Sequence, residues 1–443
     1  MKNLTIILLW IFSFILAQVG PAKELHRNPP RAWALTNATI HASPGKTIAN
    51  GTVVMRDGMI TSVGSDVKIP KQATIRDMEG KHIYAGFIES WLDVKTIKKD
   101  TSLQAHWNSN MRAYLKAADL FHPKDKELKD LRALGFTTAH ITPKGGIFQG
   151  QSALVQLGET PKVLSENIAQ VIEFASSGWG SWEYPTSLLG VIAFIRQGFY
   201  DASWYDKTGD ILAKYPDGNE PIQKDRSLES LSSGIGNKQP FVFRTNNELY
   251  IDRSENIADE FELNFWIRGN GYEYRRIDQM PASFMIVPLN FPGKPEVVDP
   301  YQALQYTTEQ LKHWDMAPDN VAKLVAAGFQ VALTGSDLKN KKDFQKNLSR
   351  SISRGLNESD ALAALTTNPA REFGQSKRLG KVAPGYIANL VITDDNYFSG
   401  ESTVNAVWID GNEYEITPDP FVSIAGTWSL KERNNVWSLV LNK

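Results

Sequence analysis

The chain has 443 residues, 42% of them apolar, enough to bury a large core, which excludes a small fold dependent on staples. Its 48 basic and 49 acidic residues give a formal charge of -1 with no long run of either sign, so no field is present to attract a polyanion, and no nucleic acid is expected as a partner. Cysteine is absent, which excludes disulfides, a thiolate nucleophile, a zinc–cysteine site and the acylated cysteine of a bacterial lipoprotein.

In chain order, Lys2, the apolar stretch Leu4 to Leu16 and the small residues Gly20 and Ala22 read as a secretory signal over residues 1–22. The expectation is a secreted or periplasmic protein with no membrane span after signal cleavage. Short alternating segments at Ala34 to Ala42, Gly51 to Arg56 and Met59 to Val63 predict strands, the last two joined by Asp57-Gly58, a pair suited to a tight hairpin turn. The same pattern returns at Asn389 to Thr393 and at Thr403 to Ile409, which ends at Asp410-Gly411. Residues 32–85 and 379–419 are therefore expected to build one small β-sandwich from both termini.

Between them, apolar strands at Phe136 to Ile141, Phe241 to Arg244, Ser283 to Leu289 and Gln330 to Leu333 alternate with helical patterns. The helices are expected at Pro185 to Asp201, Asp319 to Ala327, Lys342 to Arg354 and Ser359 to Thr366, the last capped by Asn357 or Ser359. This alternation predicts an α/β fold with a parallel barrel or a doubly wound sheet over residues 86–378. Residues 420–443 read as a two-stranded ribbon, a packed appendage or the start of a further domain.

Two groups of residues carry a resemblance. The run Asp57-Gly58-Met59-Ile60-Thr61-Ser62-Val63-Gly64 followed by Tyr84-Ala85-Gly86-Phe87-Ile88-Glu89 is similar to the entry into the barrel of the amidohydrolase superfamily, in its imidazolonepropionase-like and dipeptidase-like branch. The exit, Leu365-Thr366-Thr367-Asn368-Pro369-Ala370, Leu379-Gly380-Lys381-Val382 and Pro384-Gly385-Tyr386-Ile387-Ala388-Asn389-Leu390-Val391, resembles that family more specifically. The resemblance runs from about Asn37 to Gly411 and implies a (β/α)8 TIM-like barrel with its site at the C-terminal strand ends.

Such enzymes hydrolyse C–N bonds with water activated on one or two divalent ions, held by imidazoles and carboxylates. The family pattern places a His-x-His just after the first barrel strand; here those positions are Trp91 and Asp93. An indole offers a metal no lone pair, whereas Asp93 and nearby Glu89 are a possible oxygen remnant. The candidate strands five and six, Phe241 to Thr245 and Leu263 to Gly269, lack histidine and carry Arg244 and Arg268, whose fixed charge repels metal and suits an anionic ligand. No residue is placed for the family's bridging lysine or glutamate on strand four.

Leu333-Thr334-Gly335-Ser336-Asp337 matches the strand-eight segment, so by resemblance Asp337 is the catalytic vestige; a loop aspartate capping the next helix reads equally well. His140 fits a general base, a lone ligand or a packed histidine, and His106 in a polar loop is a candidate for the same mouth. Trp179 and Trp182, in an aromatic and glycine-rich run, suit stacking on a sugar, clamping a peptide or sealing an interface.

Two readings follow. The first is an exported pseudoenzyme that holds no cofactor and binds a small amide, peptide or sugar ligand, or supports a partner, resembling the metal-site-deficient first half of exported tandem amidohydrolases; that partner is a second amidohydrolase-like barrel or another copy of the chain. The alternative is an active amide or dipeptide hydrolase with an atypical site of Glu89, Asp93, His140 and Asp337 around zinc or another divalent metal.

Overall fold

The computed structural model describes residues 32–95, 105–175, 183–218, 220–280, 283–418, 426–432 and 435–441. The signal sequence at 1–22 and the aromatic pair Trp179 and Trp182 lie outside the described residues.

The chain opens with β1 (Ala32–Ser43), β2 (Lys46–Arg56), β3 (Met59–Gly64), β4 (Thr74–Asp77) and β5 (His82–Ala85). After the central region it returns as β16 (Leu390–Thr393), β17 (Val404–Ile409) and β18 (Asn412–Glu415). These eight strands hydrogen-bond into one sheet in the order β18-β17-β16-β5-β1-β2-β3, with β4 paired to β1. The two terminal regions meet where β16 runs antiparallel to β5, Val391 opposite Tyr84. Leu35, Val53, Ile83, Leu390 and Trp408 form a separate core for this sheet. The strands form one continuous hydrogen-bonded ladder.

Asp57 and Gly58 both adopt positive φ, 50° and 78°, as do Asp410 and Gly411 at 53° and 75°. Both Asp-Gly pairs thus form the tight turns the strand twist favours. The turns, far apart in sequence, pack together: a Cβ on Gly411 would stand 2.9 Å from the Gly58 Cα.

The central region contains β6 (Phe87–Lys95), β7 (Phe136–Lys144), β8 (Phe148–Gln151), β9 (Ala153–Gln156), β10 (Lys162–Ser165), β11 (Gln170–Glu173), β12 (Phe241–Arg244), β13 (Phe265–Arg268), β14 (Phe284–Pro288) and β15 (Gln330–Thr334). Strands β11 to β15 are parallel neighbours, and β6 pairs parallel with β7. Phe241 to Phe243 and Phe284 to Val287 are buried throughout, the continuous apolar run of strands covered on both faces.

The strands expected to build a (β/α)8 TIM-like barrel do not close into a single ladder. The strands form a four-stranded sheet, β10-β9-β7-β6, and a six-stranded sheet, β15-β14-β13-β12-β11-β8. Between them β8 pairs antiparallel with β11 and β9 antiparallel with β7, so the parallel succession is interrupted and the ladder stays open. On the other side, between β15 and β6, side chains replace the ladder: the Glu89 carboxylate accepts hydrogen bonds from the Thr334 hydroxyl and from the Gly335 N–H at 2.9 Å.

Helices cover this region largely where the apolar spacing places them, with shifted ends. The expected Pro185 to Asp201 helix begins at Leu188, because the Ser187 hydroxyl caps it by accepting from Gly190 N–H, and it runs on to Lys214. Asn357 caps the helix Glu358–Leu365. The ribbon consists of β19 (Gly426–Glu432) and β20 (Asn435–Leu441), paired antiparallel with Trp428 opposite Leu439. No helix among the described residues is long and apolar enough to cross a membrane.

Candidate functional site

Glu173, Arg244 and Arg268 end β11, β12 and β13, and register brings them into one row: Glu173 lies opposite Arg244, and Arg244 opposite Arg268. In a parallel sheet, residues ending neighbouring strands share one rim, the rim on which such folds build sites. Trp91 and Asp93 come from β6, and Asp337 follows β15.

Arg244 stands where three carboxylates converge. Its guanidinium donates to both Asp93 oxygens at 3.2 Å and lies 3.9 Å from Glu173 and 3.8 Å from Asp337. Asp93 also accepts from Lys144 Nζ and from the Trp91 indole N–H, each at 2.8 Å. Burial pushes the Asp93 carboxyl up, but the charges of Arg244 and Lys144 outweigh it and hold the group below the usual carboxylate range.

Arg268 forms a second, deeper ion pair. Its side chain is 2% exposed, and it donates to Asp337 at 2.6 Å, to the Ser336 hydroxyl at 2.5 Å and to the Gly269 carbonyl. Burial draws the guanidinium below its ordinary range while Asp337 opposes that shift. Asp337 takes positive φ, 64°, and does not cap the following helix, whose N-cap residue is Lys342. Trp91 is fully buried, with the guanidinium carbons of Arg244 and Arg268 each 5.9 Å from its ring centroid.

Glu89 is fully buried and accepts from Trp91 N–H at 3.1 Å as well as from Thr334 and Gly335. Burial pushes its carboxyl up; these hydrogen bonds and the charge of Lys341 only partly counter it. His140 is also fully buried: its Nδ1 lies 2.9 Å from the Ser90 carbonyl, and its ring stacks on Phe373 at 4.3 Å. Burial draws its imidazole down to about 4, so it is neutral at pH 7. His106 lines a cavity with Phe194 and Asp201.

Asp93 and Asp337 thus share Arg244, Glu89 serves the β6–β15 seam beside them, and His140 points into apolar packing. Sequence reasoning missed Glu173 and Lys144. Glu173 ends β11, and aligning the ends of β11, β12 and β13 would have found it. As a metal cradle the donor set fits poorly: indole and guanidinium groups only donate, and each carboxylate here already accepts hydrogen bonds or lies beside a guanidinium. Among the described residues no group of three or more His, Cys, Asp or Glu could hold an ion.

The Amidohydrolase family model matches residues 319–414, a span that includes β15 and Asp337. The amidohydrolase tasK of Hapsidospora irregularis is 21% identical over 402 residues, covering 82% of this chain and 39% of its own length, so the chain spans well under half of that relative. An amidohydrolase from Thermotoga maritima MSB8 superposes with a TM-score of 0.69 at 21% identity, covering 86% of this chain and 99% of its own. A prolidase crystallised with N-methylphosphonate-L-proline superposes with a TM-score of 0.51 at 15% identity, covering 87% and 99%.

Proposed function

We propose that this chain is an exported pseudoenzyme of the amidohydrolase superfamily, one that keeps the fold's frame and binds a ligand or supports a partner. The observation that carries this reading is Arg244 among Asp93, Glu173 and Asp337. A guanidinium neutralises those carboxylates as a cation would, but it has no vacant orbital to bind water and lower its pKa. With Arg268 held by Asp337 and Trp91 between the two, the charges of the site are satisfied from within. The apolar start at Leu4 to Leu16 supports export.

The test is a panel of dipeptides and cyclic amides incubated with the purified chain and with its Asp337→Asn variant, with and without added zinc or manganese. We expect no turnover that distinguishes the two proteins. Metal-stimulated hydrolysis that Asp337→Asn abolishes would establish an active C–N hydrolase with an atypical site instead.

A further inference from the structure

Away from the arginine cluster, a second concave site lies between the loop around His106 and the first half of the Leu188–Lys214 helix. Its cavity of about 160 Å³ is lined by His106, Trp107, Met111, Tyr184, Phe194 and Asp201, with Gln197 beside them. We propose that this cavity binds a small organic cation with an alkylated ammonium head.

Three aromatic rings line it, those of Trp107, Tyr184 and Phe194. Tyr184 and Phe194 have centroids 6.0 Å apart with planes inclined by 65°, while Trp107 lies 5.4 Å from His106. The faces of such rings are electron-rich and attract a cation, most strongly for tryptophan. Trp107 is 77% exposed and Tyr184 45%, large aromatic areas left in water at the rim, whereas Phe194 is buried.

The charge at the cavity is negative. Asp201 accepts one hydrogen bond, from the Gln197 amide at 2.6 Å, and among the described residues no cation pairs with it. His106 adds no opposing charge at neutral pH. Burial draws its imidazole down, only partly countered by the charges of Asp225 and Asp201.

The walls are held before any ligand arrives. The Asn108 and Asn110 amides donate to the Tyr184 carbonyl at 2.8 and 3.2 Å, and Asn108 N–H donates to His106 Nδ1 at 3.1 Å. A preformed wall lowers the ordering cost of binding. Size then limits the ligand: the space equals roughly five water volumes, below that of a drug-sized pocket, and suits one compact head group.

Choline and its neutral isostere 3,3-dimethyl-1-butanol, titrated separately into the purified chain and followed by ligand-observed NMR, test the proposal. We expect saturable choline binding about fivefold or more tighter than that of the alcohol. Asp201→Asn and Trp107→Leu should each weaken choline by about fivefold while leaving the circular dichroism spectrum unchanged. Trp107 is exposed, so its replacement leaves the fold intact even if Asp201→Asn does not. Equal binding of alcohol and choline, no saturable choline binding, or indifference of choline to Trp107→Leu would each overturn the proposal.

Discussion

The Arg244 guanidinium donates to both carboxylate oxygens of Asp93 at 3.2 Å, and the two residues belong to different sheets, β12 and β6. The ion pair therefore crosses from one sheet to the other at the strand ends. Removing that bridge leaves Asp93, Glu173 and Asp337 without their common cation.

Arg244→Ala is therefore expected to lower stability by about 2 kcal/mol, less than for a fully buried pair because the carboxylates are partly solvated. Calcium or magnesium at millimolar concentration should then raise the melting temperature of the variant and leave the parent unchanged, since an oxygen-only cluster suits hard ions. Thermal unfolding with and without the ions reads both effects; an equal response from the two proteins would contradict the role given to Arg244.

The Arg268 pair is deeper. Arg268→Ala removes a fully buried side chain that satisfies Asp337 and Ser336, and it should cost about 3 kcal/mol. Asp337→Asn should cost less, about 2 kcal/mol, because Asp337 is 39% exposed and Arg268 keeps its bonds to Ser336 and Gly269. Urea denaturation orders the two, and the reverse order would show that Arg268 is solvated.

Acid should destabilise the fold partly through His140. Its imidazole titrates near 6.5 when unfolded and at about 4 in the fold, so the unfolded chain binds the proton first. The contribution of His140 is fully present above 6.5, is lost as pH falls through that window, and amounts to about 3 kcal/mol. His140→Phe should flatten the decline of stability between pH 6.5 and 4, while His41, likewise drawn down to about 4 by burial, preserves part of it. Glu89 acts in the opposite direction: burial raises its carboxyl, so its contribution is full below about 4.5 and fades as pH rises. Glu89→Gln should remove that fading, as stability curves recorded across pH will reveal.

Gly411 joins the two ends of the chain. It holds a φ of 75°, and an added Cβ would meet the Gly58 backbone at 2.9 Å. Gly411→Ala should cost at least about 1 kcal/mol from left-handed strain and crowding, whereas Gly→Ala at Gly209, with open space on a helix, should stabilise slightly. Guanidinium melts of both variants check the contrast.

Much of this was legible in the sequence for local reasons. The Asp57-Gly58 and Asp410-Gly411 pairs state their turns, and the apolar runs of β12 and β14 state buried parallel strands. The substitutions at Trp91, Arg244 and Arg268 stood out against the family pattern. What failed depended on distant pairing. The antiparallel excursion of β8 and β9 that interrupts the parallel succession consists of two four-residue strands, too short for the sequence to reveal their pairing. The partners of Arg244 come from β6, from β11 and from beyond β15, and only register reveals them. Asp337 resembled a helix cap because its sequence neighbours do not show the buried Arg268 across the site.

The most direct measurement is zinc stoichiometry: the purified chain is stripped with chelator, incubated with excess zinc, passed through gel filtration and analysed for bound metal. The guanidinium-filled site predicts well under one ion per chain, and the same value for Asp93→Asn. One zinc per chain that survives gel filtration and disappears with Asp93→Asn would contradict it.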